Sequence, residues 1–87
     1  MSWTLEIEKK AEKSLAKLPK PVGKRIVGTL REVAKTENPR VRGRAMAGKY
    51  AGHWRYRIGD YRVIARIEDG LMVIVVIAIG HRRDIYR

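Results

Sequence analysis

The chain reads as one α+β domain spanning residues 1–87. The expected element order is β-α-α-β-β-β, an antiparallel sheet with an N-terminal helical hairpin packed on one face. Three observations lead to that class. Apolar and polar residues alternate near the start and again from His53 onward, the period of half-buried strands. Between Lys9 and Thr36 the apolar period lengthens to that of a helix. Near the end, Leu71–Ile79 is the longest apolar run, as expected of a central strand buried on both faces. That run would span about 30 Å as a strand but about 14 Å as a helix, too short to cross a bilayer.

In the first strand Trp3, Leu5 and Ile7 alternate with Thr4, Glu6 and Glu8. Ala11, Leu15 and Leu18 then form the stripe of a short helix, with Lys10, Lys13 and Lys17 outside it. Pro19-Lys20-Pro21 stops that helix, and Pro21 suits the first turn of the next. Val22, Ile26, Val27, Leu30, Val33 and Ala34 give the second helix its stripe, and Asn38-Pro39 ends it. Gly28 is expected to mark a close approach between the helices or between helix and sheet. Arg40–Gly52 has no clear period and is expected to be a mobile basic loop.

From His53, Trp54, Tyr56 and Ile58 point one way while Arg55 and Arg57 point the other. Gly59-Asp60 suits a two-residue hairpin turn, which sets Ile58 opposite Tyr61 and Arg57 opposite Arg62. Like charges opposed in this way are unfavourable in a sheet unless an anion binds them. The alternative is a slipped register with the guanidiniums standing separately in water. Asp69-Gly70 is expected to be a second tight turn, placing Tyr61 opposite Ala78 and Arg62 opposite Ile77. The strand exit would then bring His81, Arg82 and Tyr86 to Arg57 and Arg62 around one concavity.

Composition narrows the partner. Twenty Lys plus Arg against nine acids give a formal charge of +11, which points to nucleic acid or an acidic protein. The chain has no cysteine, and Met1-Ser2-Trp3-Thr4-Leu5-Glu6 shows no secretory pattern, so the expectation is a cytoplasmic protein. Neither a paired-carboxylate motif, a Gly-rich phosphate loop nor a metal-ligand spacing is present, and no metal or small-molecule cofactor is expected.

The expected concavity suits RNA scission by the ribose 2′-OH. That reaction needs a base for the hydroxyl, positive donors for the phosphorane and an acid for the leaving oxygen. Guanidiniums supply the donors but are poor bases, which leaves His81 as the candidate for proton transfer. Tyr86 can stack on a base or orient the phosphate. His53, at the far end of its strand, is read as structural or incidental.

The blocks Gly52-His53-Trp54-Arg55-Tyr56-Arg57-Ile58-Gly59-Asp60-Tyr61-Arg62-Val63-Ile64 and Gly80-His81-Arg82-Arg83-Asp84-Ile85-Tyr86-Arg87 strongly resemble RelE toxins of type II toxin–antitoxin systems, in the RelE/ParE superfamily. The resemblance covers nearly the whole chain. It implies a RelE-like fold and a metal-independent toxin that cuts mRNA in the ribosomal A site, neutralised by an acidic, RelB-like antitoxin. By position, Arg62 would stabilise developing phosphate charge, Arg82 would contact the phosphate or leaving group, and Tyr86 would stack or orient the mRNA. Arg55 and Arg57 match basic residues that are lysines in some members, and arginine cannot readily take over a lysine's part in activating the 2′-OH. The expected catalytic set is therefore Arg57, Arg62, His81, Arg82 and Tyr86. The expected contacts to RNA and ribosome are Arg40, Arg42, Arg44, Lys49, Arg55, Arg83 and Arg87. The short tail is expected to be disordered without its target. An acidic, amphipathic antitoxin segment is expected on the arginine face, over Ile64, Val73, Val75 and Ile77.

Two other functions fit the same residues. A ParE-like toxin would share the fold and inhibit DNA gyrase by binding, although a pure binder has no evident need for the His81, Arg82 and Tyr86 grouping. The other is a basic nucleic-acid-binding domain without activity.

Overall fold

The computed structural model describes residues 2–86. Strand β1 (Thr4–Ile7) leads into α1 (Lys9–Ala16) and α2 (Lys20–Lys35). Then come β2 (Arg44–Ala45), a 3₁₀ turn at Gly48–Tyr50, β3 (Trp54–Ile58), β4 (Tyr61–Glu68), a second 3₁₀ turn at Asp69–Leu71, and β5 (Val73–His81). The five-stranded sheet has the order β1-β5-β4-β3-β2. Ala11 of α1 and Ile26, Leu30, Val33 and Ala34 of α2 cover one face, packing on Tyr56, Ile58, Val63, Ala65, Ile74, Val76 and Ile79. The α+β class and the helical hairpin are those expected from the periodicities.

The sheet is mixed and not purely antiparallel, because β1 lies parallel to β5 with Thr4 opposite Val73. The helices and the meander form a long crossover between these two strands, which a parallel pair requires. The position of β5 is also corrected: β4 is the central strand and β5 lies between it and β1. The Trp3 amide donates to Ala34 at 2.7 Å and its indole to Glu37 at 3.2 Å, tying the start of β1 to the end of α2.

The stretch expected to be a mobile loop instead holds β2, whose Arg44 lies opposite Arg55 and Ala45 opposite Trp54. A buried tyrosine anchors the chain leading into it. The Tyr56 hydroxyl donates to the Pro39 carbonyl at 2.5 Å. Gly43 lies so close that a Cβ there would come within 2.9 Å of the Tyr56 ring. Only a residue without a side chain lets the strand edge approach in this way.

Gly28 is different from expectation. A Cβ at this position would meet nothing within 4 Å, so close packing does not explain the glycine. Gly28→Ala is expected to raise stability by about 0.5–1 kcal/mol, by removing unfolded-chain entropy from a helix interior. Urea denaturation checks this, and an unchanged or lower midpoint would contradict it.

The first hairpin has the expected register, with Ile58 opposite Tyr61 and Arg57 opposite Arg62. The second does not. Glu68 lies opposite Val73, because the connection runs through the 3₁₀ turn and closes at Met72 in the left-handed region, φ 53. A further shift falls between Ile64 and Ala65, after which Tyr61 lies opposite His81 and Arg62 opposite Gly80. The longer connection moves the register by an even step and keeps every side chain on its face. The bulge inserts an odd residue, and everything beyond it changes face.

Candidate functional site

The face of the sheet opposite the helices collects arginines. Period-two alternation turns Tyr56 and Ile58 into the core and leaves Arg55 and Arg57 outside. Cross-strand pairing then sets Arg44 beside Arg55 and Arg57 beside Arg62. Two opposed pairs of like charge on one face are unfavourable in the free protein and suit a polyanion. A groove of about 400 Å³ runs along this edge, lined by Val41, Arg42, Gly43, Arg44, Arg55 and Arg57.

The arginines differ in what they can do. Arg57 and Arg44 are exposed. Arg62 is only 8% exposed and donates Nη1 to the Gly59 and Tyr61 carbonyls at 3.0 and 2.9 Å, so its charge is held at the hairpin turn. Arg55 directs Nη1 toward the Tyr86 hydroxyl at 3.5 Å, while its buried Nε has no hydrogen-bond partner among the described residues. Arg66 shares this face and pairs with Glu68 at 2.5 Å.

The tail is an ordered turn, not a loose end. The Arg82 amide donates to the Asp60 carbonyl at 2.8 Å, and the Asp84 and Ile85 amides donate to the His81 carbonyl at 2.9 and 3.0 Å. The Arg83 amide donates to His81 Nδ1 at 3.2 Å. Ile85 folds back over Gly80, where a Cβ would come within 3.1 Å of its Cδ1. This return brings Tyr86 to Arg55. Arg82 and Arg83 remain exposed, with Arg82 Nε 3.9 Å from Asp60 in a loose ion pair. Arg87 lies outside the described residues.

Tyr86 therefore joins the arginine face, as expected, but His81 does not. It lies opposite Tyr61, which packs on the core side, and the two rings meet edge-on with centroids 5.6 Å apart. The unbulged register would have put His81 on the arginine face; the bulge turns it away.

Other expected contacts are also placed elsewhere. Arg40 donates to both Asp69 carboxylate oxygens at 2.9 and 2.6 Å and lies 5.7 Å from the Trp54 ring centroid, on the core side. Its hydrogen bonds hold the Asp69 carboxyl below the usual carboxylate range. Arg40 thus clamps the β4–β5 connection. Lys49 lies 5.5 Å from the Tyr50 ring centroid, in a separate cleft with Lys10, Ser14 and Ile85. Arg42 lines the groove while reaching Glu32 at 3.4 Å. His53 stands edge-on to Tyr50 with centroids 6.2 Å apart. The apolar strip expected to await a partner is largely covered: Ile64 is fully buried, Val75 is buried, and Val73 and Ile77 are half-buried.

Sequence reasoning missed the pairing of Arg44 with Arg55, since a two-residue strand has no period to detect. The Arg42-Gly43-Arg44 step was the available signal: a glycine between arginines, at a position where the backbone crosses an aromatic ring. Among the described residues no cluster of His, Asp and Glu could hold a metal ion, and no helix is long and apolar enough to cross a membrane.

Comparison with known proteins agrees with this fold. Residues 5–86 match the family model described as the ParE toxin of the type II toxin–antitoxin system parDE. Toxin RelG of Mycobacterium tuberculosis is 32% identical over 90 aligned positions, covering 100% of this chain and 99% of that protein. In the crystal structure of the toxin–antitoxin complex RelBE2 from the same organism, a chain superposes with a TM-score of 0.86 at 26% identity, covering 97% of this chain and 95% of that one. The archaeal RelE–RelB complex from Pyrococcus horikoshii gives 0.74 at 26% identity, covering 97% and 99%.

Proposed function

The chain belongs to the RelE/ParE superfamily of toxins from type II toxin–antitoxin systems, and on that premise we propose that it is an endoribonuclease that cuts mRNA in the ribosomal A site. The observation that carries this reading is the arginine face, with its opposed pairs Arg44/Arg55 and Arg57/Arg62 and the Tyr86 hydroxyl beside Arg55. In the proposed reaction the ribose 2′-oxygen bonds to the adjacent phosphorus and the bond from phosphorus to O5′ breaks. The products are a 2′,3′-cyclic phosphate and a 5′-hydroxyl. The 2′-OH loses its proton and the leaving oxygen gains one.

Arg57 and Arg55 bind the non-bridging oxygens as charge grows on them, and Arg62 adds fixed positive potential behind them. Tyr86 orients the mRNA against Arg55, and Arg82, exposed beside Asp60, is assigned the contact to the phosphate or leaving group. Guanidiniums stay protonated throughout, and His81 faces away from them. Proton acceptance is therefore assigned to ribosomal RNA or solvent, which gives a physical reason for dependence on the ribosome.

Purified protein added to translating ribosomes with a defined mRNA is expected to produce new 5′ ends at the A-site codon. Intact mRNA together with inhibited supercoiling by DNA gyrase would instead establish the second reading, which the ParE description of the matching family favours. Intact mRNA with unaffected gyrase would leave a basic binding module.

The proposed partner is an acidic antitoxin segment, complementary to the charge of +11. Solved relatives include RelE proteins bound to RelB. With the expected apolar strip covered, the better surface is the 500 Å³ groove on the helical hairpin, where apolar Leu15 and Val27 adjoin basic Lys24 and Arg31. Val27→Glu is expected to weaken the cognate antitoxin by about tenfold or more, the scale of a lost interface anchor. Calorimetric titration measures this, and unaltered affinity would remove the groove from the interface.

A further inference from the structure

His81 was the candidate for proton transfer, yet its hydrogen bonds describe a different task. Four consecutive tail amides are occupied: that of Arg82 by Asp60, and those of Arg83, Asp84 and Ile85 by His81 itself. The backbone carbonyl of His81 takes two of them, as any residue could. The side chain takes the Arg83 amide at 3.2 Å through Nδ1, the pattern by which Asn and Asp side chains close turns two residues on. The ring is held in that orientation by its edge-on contact with Tyr61.

The turn closed in this way does two things for the arginine face. It seats Ile85 over Gly80, the cross-strand neighbour of Arg62, and it returns Tyr86 to within 3.5 Å of Arg55. We propose that His81 is a positioning residue, whose Nδ1 staples the tail turn and thereby holds Tyr86 against Arg55 and Arg82 beside the hairpin. The proposal rests on the nuclease reading for its catalytic consequence, but the staple itself is a structural statement.

Asparagine separates positioning from proton transfer. Its Oδ1 stands at the same bond separation from the backbone as Nδ1 and accepts the same amide, but it does not exchange a proton near neutral pH. Glutamine carries its acceptor one bond further out, and alanine carries none. On translating ribosomes at about pH 8, where an imidazole is neutral and its Nδ1 can accept, His81→Asn is expected to cleave mRNA within about threefold of the wild-type rate. His81→Ala and His81→Gln are each expected to lose about tenfold or more, as misplacement of a catalytic group does. In parallel, amide exchange followed by NMR is expected to show Arg83 protected in the wild type and His81→Asn, and unprotected in His81→Ala.

Equal Arg83 exchange in wild type and His81→Ala would overturn the staple whatever the activity. A His81→Asn protein as inactive as His81→Ala, with Arg83 still protected, would return His81 to proton transfer. If wild type itself leaves mRNA intact, the nuclease reading fails, and Arg83 exchange still decides the staple.

Discussion

Arg57→Ala and Tyr86→Ala are each expected to lower mRNA cleavage on translating ribosomes by about 100-fold or more, the usual cost of removing a preorganised donor from a developing anion for Arg57 and of misplacing the reacting groups for Tyr86. Arg57 is the exposed member of its pair, whereas Arg62 is fixed to the turn carbonyls and cannot swing in to replace it. Tyr86 is 46% exposed and reaches Arg55 from the tail, so its loss removes a contact to substrate with little packing. Neither change should move the urea midpoint downward, and Arg57→Ala relieves an opposed like-charge pair. Growth inhibition on induction should disappear in step with cleavage, while antitoxin binding at the helical hairpin is retained. Two folded variants cutting at the wild-type rate would show that the arginine face is not the site of scission.

The largest effect on stability is expected at Tyr56. Tyr56→Ala removes a ring that is 2% exposed and lies against Gly43, and should cost about 3–5 kcal/mol in urea denaturation. Tyr56→Phe keeps the ring but leaves the Pro39 carbonyl without its donor, at about 1–2 kcal/mol. The hydroxyl also makes stability depend on pH. Burial pushes its pKa up from 10.0 to about 12, against a smaller lowering by Arg40. Between those values the unfolded chain releases this proton and the folded chain keeps it. The contribution is therefore complete below pH 10 and is lost as pH rises toward 12, at up to about 1.4 kcal/mol per pH unit. Tyr56→Phe should flatten that part of the profile. A mutant curve running parallel to the wild type through this window would mean that Tyr56 ionises equally in both states.

Much of the site was legible because its parts are local. The alternation of Trp54, Tyr56 and Ile58 with Arg55 and Arg57 sorts one strand by face, and a two-residue turn at Gly59-Asp60 leaves a single partner for each residue of the hairpin. The opposition of Arg57 and Arg62 follows from those neighbours alone. So do the helical stripes, since each apolar set repeats within a few turns of backbone.

What the tertiary structure decided depends on contacts between distant parts of the chain. Arg44 joins the arginine face because Gly43 crosses the Tyr56 ring, and a two-residue strand forms only where a sheet edge is waiting for it. His81 faces away because one bulge in β5, where Ile77 is the extra residue opposite the step from Ile64 to Ala65, reverses every β5 side chain beyond it, and no local period records an inserted residue. The tail is ordered because Asp60 of the β3–β4 turn and Arg55 of β3 meet it while Ile85 folds back on Gly80. Sequence by itself determined which residues carry charge and which strand face they take. Register across a bulge, and with it the identity of the groups that meet, is a non-local balance that only the folded sheet resolves.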